Sequence, residues 1–274
     1  MSFYSMFKIG FSGVLIGVAN LIPGVSGATL AVLTNQYERI ISQLSKLAKC
    51  QFKDLNIQYL SIIAIGAATG IFGLSFPLHY AFVHFEAEAY AVIFGLVYGS
   101  ISGIQIASSK QSFIKRYGNI YFGIGCIIML ALIALDISSV QMMSINSYVL
   151  LFLAGIIAMA AMIIPGISGS MVLVIMGAYD LVLIAVKTLD IVALVPCIIG
   201  AIIGGLSFLK GIQHCLNHWS GQFESLILGL VVGSMLFLML QGPSMSLFQW
   251  VLWVIVGALI SQGTLQICKR NEQR

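Results

Sequence analysis

Hydrophobic residues fall in eight runs along the chain, near 9–34, 57–77, 88–108, 120–136, 146–177, 190–209, 222–241 and 248–267. Six of these are close to the roughly 20 residues that carry a helix across a bilayer. The first and fifth are longer, and helix breakers interrupt each in its middle. Residues 20–33 read NLIPGVSGATLAVL, and residues 163–180 read IIPGISGSMVLVIMGAYD. Unpaired backbone is costly in hydrocarbon and is tolerated mainly where it lines a cavity. Breaks at that depth predict a site.

A shift of 142 residues lays one break on the other. Gly13 falls on Gly155, the whole of Pro23-Gly24-Val25-Ser26-Gly27 on Pro165-Gly166-Ile167-Ser168-Gly169, and Tyr37-Glu38 on Tyr179-Asp180. Further on, a shift of 134 aligns Gly66 with Gly200, Gly70 with Gly204, and Gly95 to Ser100 with Gly229 to Ser234. The chain therefore reads as two related halves, 1–140 and 145–274.

Composition narrows the class. Of 274 residues, 59% are hydrophobic and 8% charged, where a soluble domain carries about 25% charged residues. An all-α polytopic membrane protein is expected. No cleavable signal is expected either, because the apolar stretch after Lys8 is too long and lacks a small-residue cleavage site. The cysteines (Cys50, Cys126, Cys197, Cys215 and Cys268) are scattered without metal spacing and read as small hydrophobes.

Charge placement decides whether the broken runs cross. Cytoplasmic loops collect Lys and Arg. If all eight runs cross from a cytoplasmic N-terminus, only Lys8, Lys210, Lys269, Arg270 and Arg274 lie inside. If 9–34 and 146–177 are instead re-entrant hairpins, Arg39, Lys46, Lys49, Lys53, Lys110, Lys115 and Arg116 join them. Only Lys187 is then outside. The second arrangement satisfies the rule. Each half then has one hairpin and three crossings, so the second half is inserted upside down. Inverted repeats with broken helices meeting near the midplane are a secondary-transporter architecture.

The breaks suggest an anion site. Pro23 and Pro165 end the descending half-helices, Gly24 and Gly166 allow the turn, and Ser26 and Ser168 are placed to cap ascending helices that start near Gly27 and Gly169. Free N–H groups and a positive dipole end favour anions, phosphates above all. Asn20 and Thr29 flank the first break where the second has Met162 and Met171, so the first hairpin carries more of the polar contact. Ser170 lies beside Ser168.

Tyr37, Glu38 and Arg39 follow the first hairpin, and Tyr179 and Asp180 the second. The carboxylates read either as solvated interfacial acids or as gating or proton-carrying groups, one at each mouth. Arg39 reads as an ion-pair partner, a phosphate contact or a snorkelling cation. Glu86, Glu88, His79 and His84 are expected in an outside loop. His214 and His218 have the i, i+4 spacing of a metal pair but no third ligand, and read as an interfacial pair. No metal cluster, nucleotide-binding loop or catalytic triad is legible, so no enzyme, cofactor or nucleic-acid partner is expected.

On the paired Pro-Gly-[Val/Ile]-Ser-Gly breaks and the Tyr-acid pairs that follow, the chain resembles the DUF368 family of bacterial membrane proteins over essentially its full length. Ala28 stands where that family's first motif often has a second glycine. The resemblance implies a polyprenyl-phosphate transporter of the cytoplasmic membrane, returning undecaprenyl phosphate from the outer to the cytoplasmic leaflet for envelope synthesis. A lipid phosphate suits the helix ends, and its tail can stay in lipid beside a groove. Proton coupling through Glu38 or Asp180 would offset the membrane potential. The competing readings are a small-anion channel or exchanger using the same helix ends, and an intramembrane lipid-modifying enzyme.

Overall fold

The computed structural model describes residues 3–21, 25–101, 119–137, 147–241 and 245–269. Pro23 and Gly24, together with Lys110, Lys115, Arg116, Arg270 and Arg274, lie outside them. The described residues are helical throughout, without strands. In chain order the helices are α1 (Phe3–Ala19), α2 (Gly27–Leu33), α3 (Tyr37–Ala48), α4 (Ile57–His84), α5 (Glu86–Ile101), α6 (Asn119–Ile137), α7 (Ser147–Ile163), α8 (Gly169–Ile175), α9 (Tyr179–Lys187), α10 (Ile191–His218), α11 (Ser220–Gln241) and α12 (Leu247–Lys269).

Three stretches are long and apolar enough to cross a membrane: Ile57–His84, Ile191–His218 and Ser220–Leu240. A fourth arises if α8 and α9, bent by 116° at their junction, count as one span. At about 1.5 Å per residue, the 28 residues of α4 or α10 reach beyond a hydrocarbon core. Shorter apolar helices cover Ser5–Ala19, Ile120–Leu135, Ser147–Ile163 and Leu247–Gly263.

Four helix pairs dominate the packing: α1 with α4, α7 with α10, α5 with α12 and α6 with α11. Glycine permits the close approach in each. A Cβ on Gly66 of α4 would strike the Gly10 carbonyl of α1, and one on Gly200 of α10 the Phe152 carbonyl of α7. Gly95 of α5 lies on the Val254 carbonyl of α12, and Gly229 of α11 on the Phe122 carbonyl of α6. Such contact is how helices gain dispersion energy in lipid, where no hydrophobic force draws them together. The last two pairs join the first half of the chain to the second.

Two elements were not foreseen in the sequence. After each break lies a short helix, α3 or α9, entered through a tight turn. In α3 the buried residues Tyr37, Ile41 and Ser45 recur every fourth position, one face of a helix. The turns into α3 and α9 match: Asn35 and Gly177 hold φ 58° and 67°. Gln36 N–H reaches the Ala31 carbonyl at 2.8 Å, and Ala178 N–H the Leu173 carbonyl at 2.9 Å. These are left-handed helix ends that recover orphaned carbonyls.

The expected loop around Glu86 is absent. His79 and His84 belong to α4, while Glu86 and Glu88 form the first turn of α5, with Phe85 alone between the helices. Acids in a first turn complement the helix dipole, which stabilises a sharp helix–helix corner there.

The core joins residues from both halves of the chain. One buried cluster combines Ala31, Tyr37 and Ile41 with Tyr90 and with Leu209, Val231 and Met235. A second combines Met129 and Ile133 with Ala154, Ile167, Met171 and Leu230. Ile164, in the second break, packs against both.

Candidate functional site

α1 stops at Ala19, and α2 starts at Gly27. Across that gap Asn20 Oδ1 accepts from Gly27 N–H at 3.2 Å, and Ser26 Oγ accepts from Ala28 N–H at 3.3 Å. Ser26 is in extended conformation, the geometry of an N-cap. Two of the donors that a helix start leaves without partners are thereby satisfied.

The second break is built differently. α7 ends at Ile163, Pro165 is fully buried, and Gly166 adopts φ 91°. Only glycine takes that backbone freely. Ser168 stands in the N-cap position of α8 in extended conformation, yet its hydroxyl makes no cap bond. It pairs with the Ser170 hydroxyl at 2.8 Å instead. The expected capping role of Ser168 is therefore corrected. Its neighbour two residues on offers a hydroxyl that Ala28 of the first break lacks.

The two breaks touch. Gly166 N–H donates to Thr29 Oγ1 at 2.8 Å, and Thr29 is 2% exposed. Beside this contact the Tyr37 hydroxyl donates to the Ile163 carbonyl at 3.0 Å. That carbonyl is among the acceptors that the end of α7 leaves unpaired. Tyr37 is buried, and burial raises its pKa above the ordinary phenol value, with a smaller contribution from Cys215. It therefore remains a neutral donor.

Glycine at the helix starts is enforced by what lies over it. A Cβ on Gly27 would meet the Asn20 amide at 2.8 Å, and one on Gly169 would strike Met162 Cγ. Asn20 and Met162, aligned by the repeat, cover the same position with opposite polarity. Asn20, Met162 and Ser170 are all exposed at the surface.

The remaining candidates stand apart from this junction. Glu38, Arg39, Tyr179 and Asp180 are exposed, and Tyr179 does not repeat the burial of Tyr37. Arg39 stacks its guanidinium 4.0 Å over the Tyr59 ring. The Tyr59 hydroxyl donates to Gln36 Oε1 at 3.0 Å, and Asn56 N–H donates to Gln43 Oε1 at 2.7 Å. Tyr59, Gln36 and Gln43, which sequence reasoning passed over, dock α3 on the start of α4. Gln36 and Gln43, seven residues apart and so on one helical face, were the available signal. The His214 and His218 rings stack 4.2 Å apart, and His218 Nδ1 contacts the His214 carbonyl. Among the described residues no group of three His, Cys, Asp or Glu side chains could hold a metal ion.

Residues 16–245, which include both breaks, match the family described as undecaprenyl phosphate translocase-like. The chain belongs to this family. Its members are transporters, not enzymes. A polyprenyl-phosphate transporter of Vibrio cholerae is 30% identical over 236 residues, covering 81% of this chain and 74% of its own. Another, from Staphylococcus aureus, is 29% identical over 276 residues, covering 95% of this chain and 96% of its own. No solved structure matches the chain. In this translocase-like family member the apolar helices make a multi-pass membrane protein, and the Thr29–Gly166 junction lies inside the matched region.

Proposed function

We propose that this chain carries polyprenyl phosphate, as undecaprenyl phosphate, from the outer to the cytoplasmic leaflet of the bacterial inner membrane. The observation that carries this reading is the 2.8 Å bond between Thr29 and Gly166, which sets the two Pro-Gly breaks against each other in a buried position. In this reading the phosphate is held where the two helix starts meet.

In this reading the halves 1–140 and 145–274 are inverted repeats. Each has one re-entrant broken hairpin, α1–α2 or α7–α8, and three crossings. The recurrence of the Gly66 and Gly95 contacts at Gly200 and Gly229 supports it, as does the lysine and arginine distribution. Both termini are cytoplasmic. α8, whose first turn has no side-chain cap, offers the more open set of N–H groups, with the Ser168 and Ser170 hydroxyls beside it. Asn20 completes the first half of the site. The prenyl tail remains in lipid, outside the junction.

Inward movement of the anion opposes an inside-negative potential, at about 2.3 kcal/mol per charge per 100 mV. A proton carried by Glu38 or Asp180 offsets this. Both acids sit in the first turn of a helix that follows a break, one toward each leaflet.

The test is translocation of polyprenyl phosphate in vesicles reconstituted with the full chain, with polyprenyl alcohol and a small inorganic anion as controls. Accelerated movement of the lipid phosphate alone is the expected result. Anion flux without lipid movement would replace this reading with a small-anion pathway.

A further inference from the structure

The two halves hold the helices that follow their breaks differently. α3 reaches across the molecule and packs on α10 of the second half. The Tyr37 hydroxyl donates to the Ile163 carbonyl at 3.0 Å, and Ser45 Oγ to the Leu209 carbonyl at 3.4 Å. α9 instead rests on α8 and α10 of its own half. The repeat allows a comparison residue by residue. Tyr37 is 5% exposed and its counterpart Tyr179 is 39% exposed. Leu209, beneath α3, is buried, whereas its counterpart on α4, Ser75, is exposed. The Ile163 position, which accepts from Tyr37, corresponds to Leu21 just past the end of α1. The start of α8 is open as well: Ser170 is exposed, while its counterpart Ala28 is half-buried.

We propose that α3 and α9 are the two gates of an alternating-access cycle, and that this structure is the state with the α3 gate shut and the α9 gate open. In the opposite state the Tyr179 hydroxyl donates to the Leu21 carbonyl, and α9 lies across α4 at Ser75 as α3 now lies across α10 at Leu209. This rests on the reading of the halves as inverted repeats of a lipid-phosphate transporter. Two halves of like fold can exchange conformations at little net cost, because each state has one docked and one undocked gate helix. The docked helix brings the same kinds of contact either way: a phenol for a carbonyl at a helix end, and an aliphatic side chain, Ile41 or Leu183, one turn further on. By the distribution of lysine and arginine, α3 faces the cytoplasm and α9 the outside. This state therefore admits a head group from the outer leaflet, where inward transport begins.

The experiment uses the full chain with its five cysteines replaced by alanine, reconstituted in vesicles, and a short thiol-reactive cross-linker that reductant cleaves. Cysteines at Tyr37 and Ile163 report the shut α3 gate, and cysteines at Tyr179 and Leu21 the shut α9 gate. Cysteines at Ser75 and Leu183 report the α9 gate independently, should a change at Leu21 disturb the first break. All three pairs should link, and each link should stop translocation of polyprenyl phosphate until reductant releases it. Tyr37→Phe removes one neutral hydrogen bond from the α3 gate, so both α9 pairs should link about three- to ten-fold faster in that variant. If the α9 pairs do not link, or link at rates that Tyr37→Phe leaves unchanged, the exchange of gates is overturned. The transport reading then still stands if the unlinked protein moves polyprenyl phosphate and not the alcohol. If the unlinked protein moves neither lipid, the transport reading fails and the gates with it.

Discussion

Thr29 and Gly166, 137 positions apart in the chain, share a 2.8 Å hydrogen bond that joins two copies of the same broken motif. Gly166 serves it in two ways. Its φ of 91° turns the N–H toward Thr29, and its missing side chain admits the Leu230 backbone, whose carbonyl carbon would lie 2.8 Å from a Cβ.

Replacing Gly166 with alanine should therefore destabilise the protein by about 2–4 kcal/mol, combining backbone strain with overpacking. Gly177 has φ 67° but open space around it, so Gly177→Ala should cost only about 1 kcal/mol. Thermal melts of the detergent-solubilised variants check this. Equal shifts would mean that packing on Leu230 contributes nothing.

Ser26 and Ser168 separate stability from binding. Ser26 caps α2, so Ser26→Ala should cost ~1 kcal/mol of stability. Ser168 makes no cap bond, and Ser168→Ala should leave the melting temperature nearly unchanged. Both should weaken head-group binding by about ten-fold, the scale of a charge-assisted hydrogen bond. A Ser168→Ala protein that binds polyprenyl phosphate like the parent would remove that hydroxyl from the site.

Orientation follows from the basic residues. Cysteines placed at Lys49 and Trp219 should react only with reagents added on the cytoplasmic side, and one at Glu86 only from outside. Labelling at position 49 from outside would end the re-entrant, inverted arrangement.

The carboxylates are tested by pH. If Glu38 or Asp180 carries the coupling proton, Glu38→Gln or Asp180→Asn should flatten the pH dependence of transport without preventing membrane insertion. Identical rates and profiles in both variants would make them solvated surface acids, consistent with their exposure.

Much of this architecture is written locally. Proline, glycine and serine at the breaks end one helix and begin the next within a few residues, so α2 and α8 start where those residue types require. The short helices α3 and α9 are harder to read, because α3 mixes Glu38, Arg39 and Lys46 with an apolar face of few residues. The corner at Phe85 is a single residue long, too short to register against charged neighbours that resemble a loop. The contact between Thr29 and Gly166 cannot be read from sequence, since it depends on how helices from both ends of the chain interlock. Only the polarity of Asn20 and Thr29 against Met162 and Met171 hinted that the breaks differ.

The most direct measurement is translocation of polyprenyl phosphate by reconstituted protein carrying Gly27→Val or Gly169→Val. A side chain at Gly27 displaces the Asn20 amide, and one at Gly169 strikes Met162; at the proposed site each would block backbone approach to the head group. Both variants should reach the membrane and elute as the parent does, yet fail to move the lipid phosphate, while polyprenyl alcohol moves no faster with the parent than in empty vesicles. Translocation by either variant at the parent's rate would contradict a phosphate site at the two breaks.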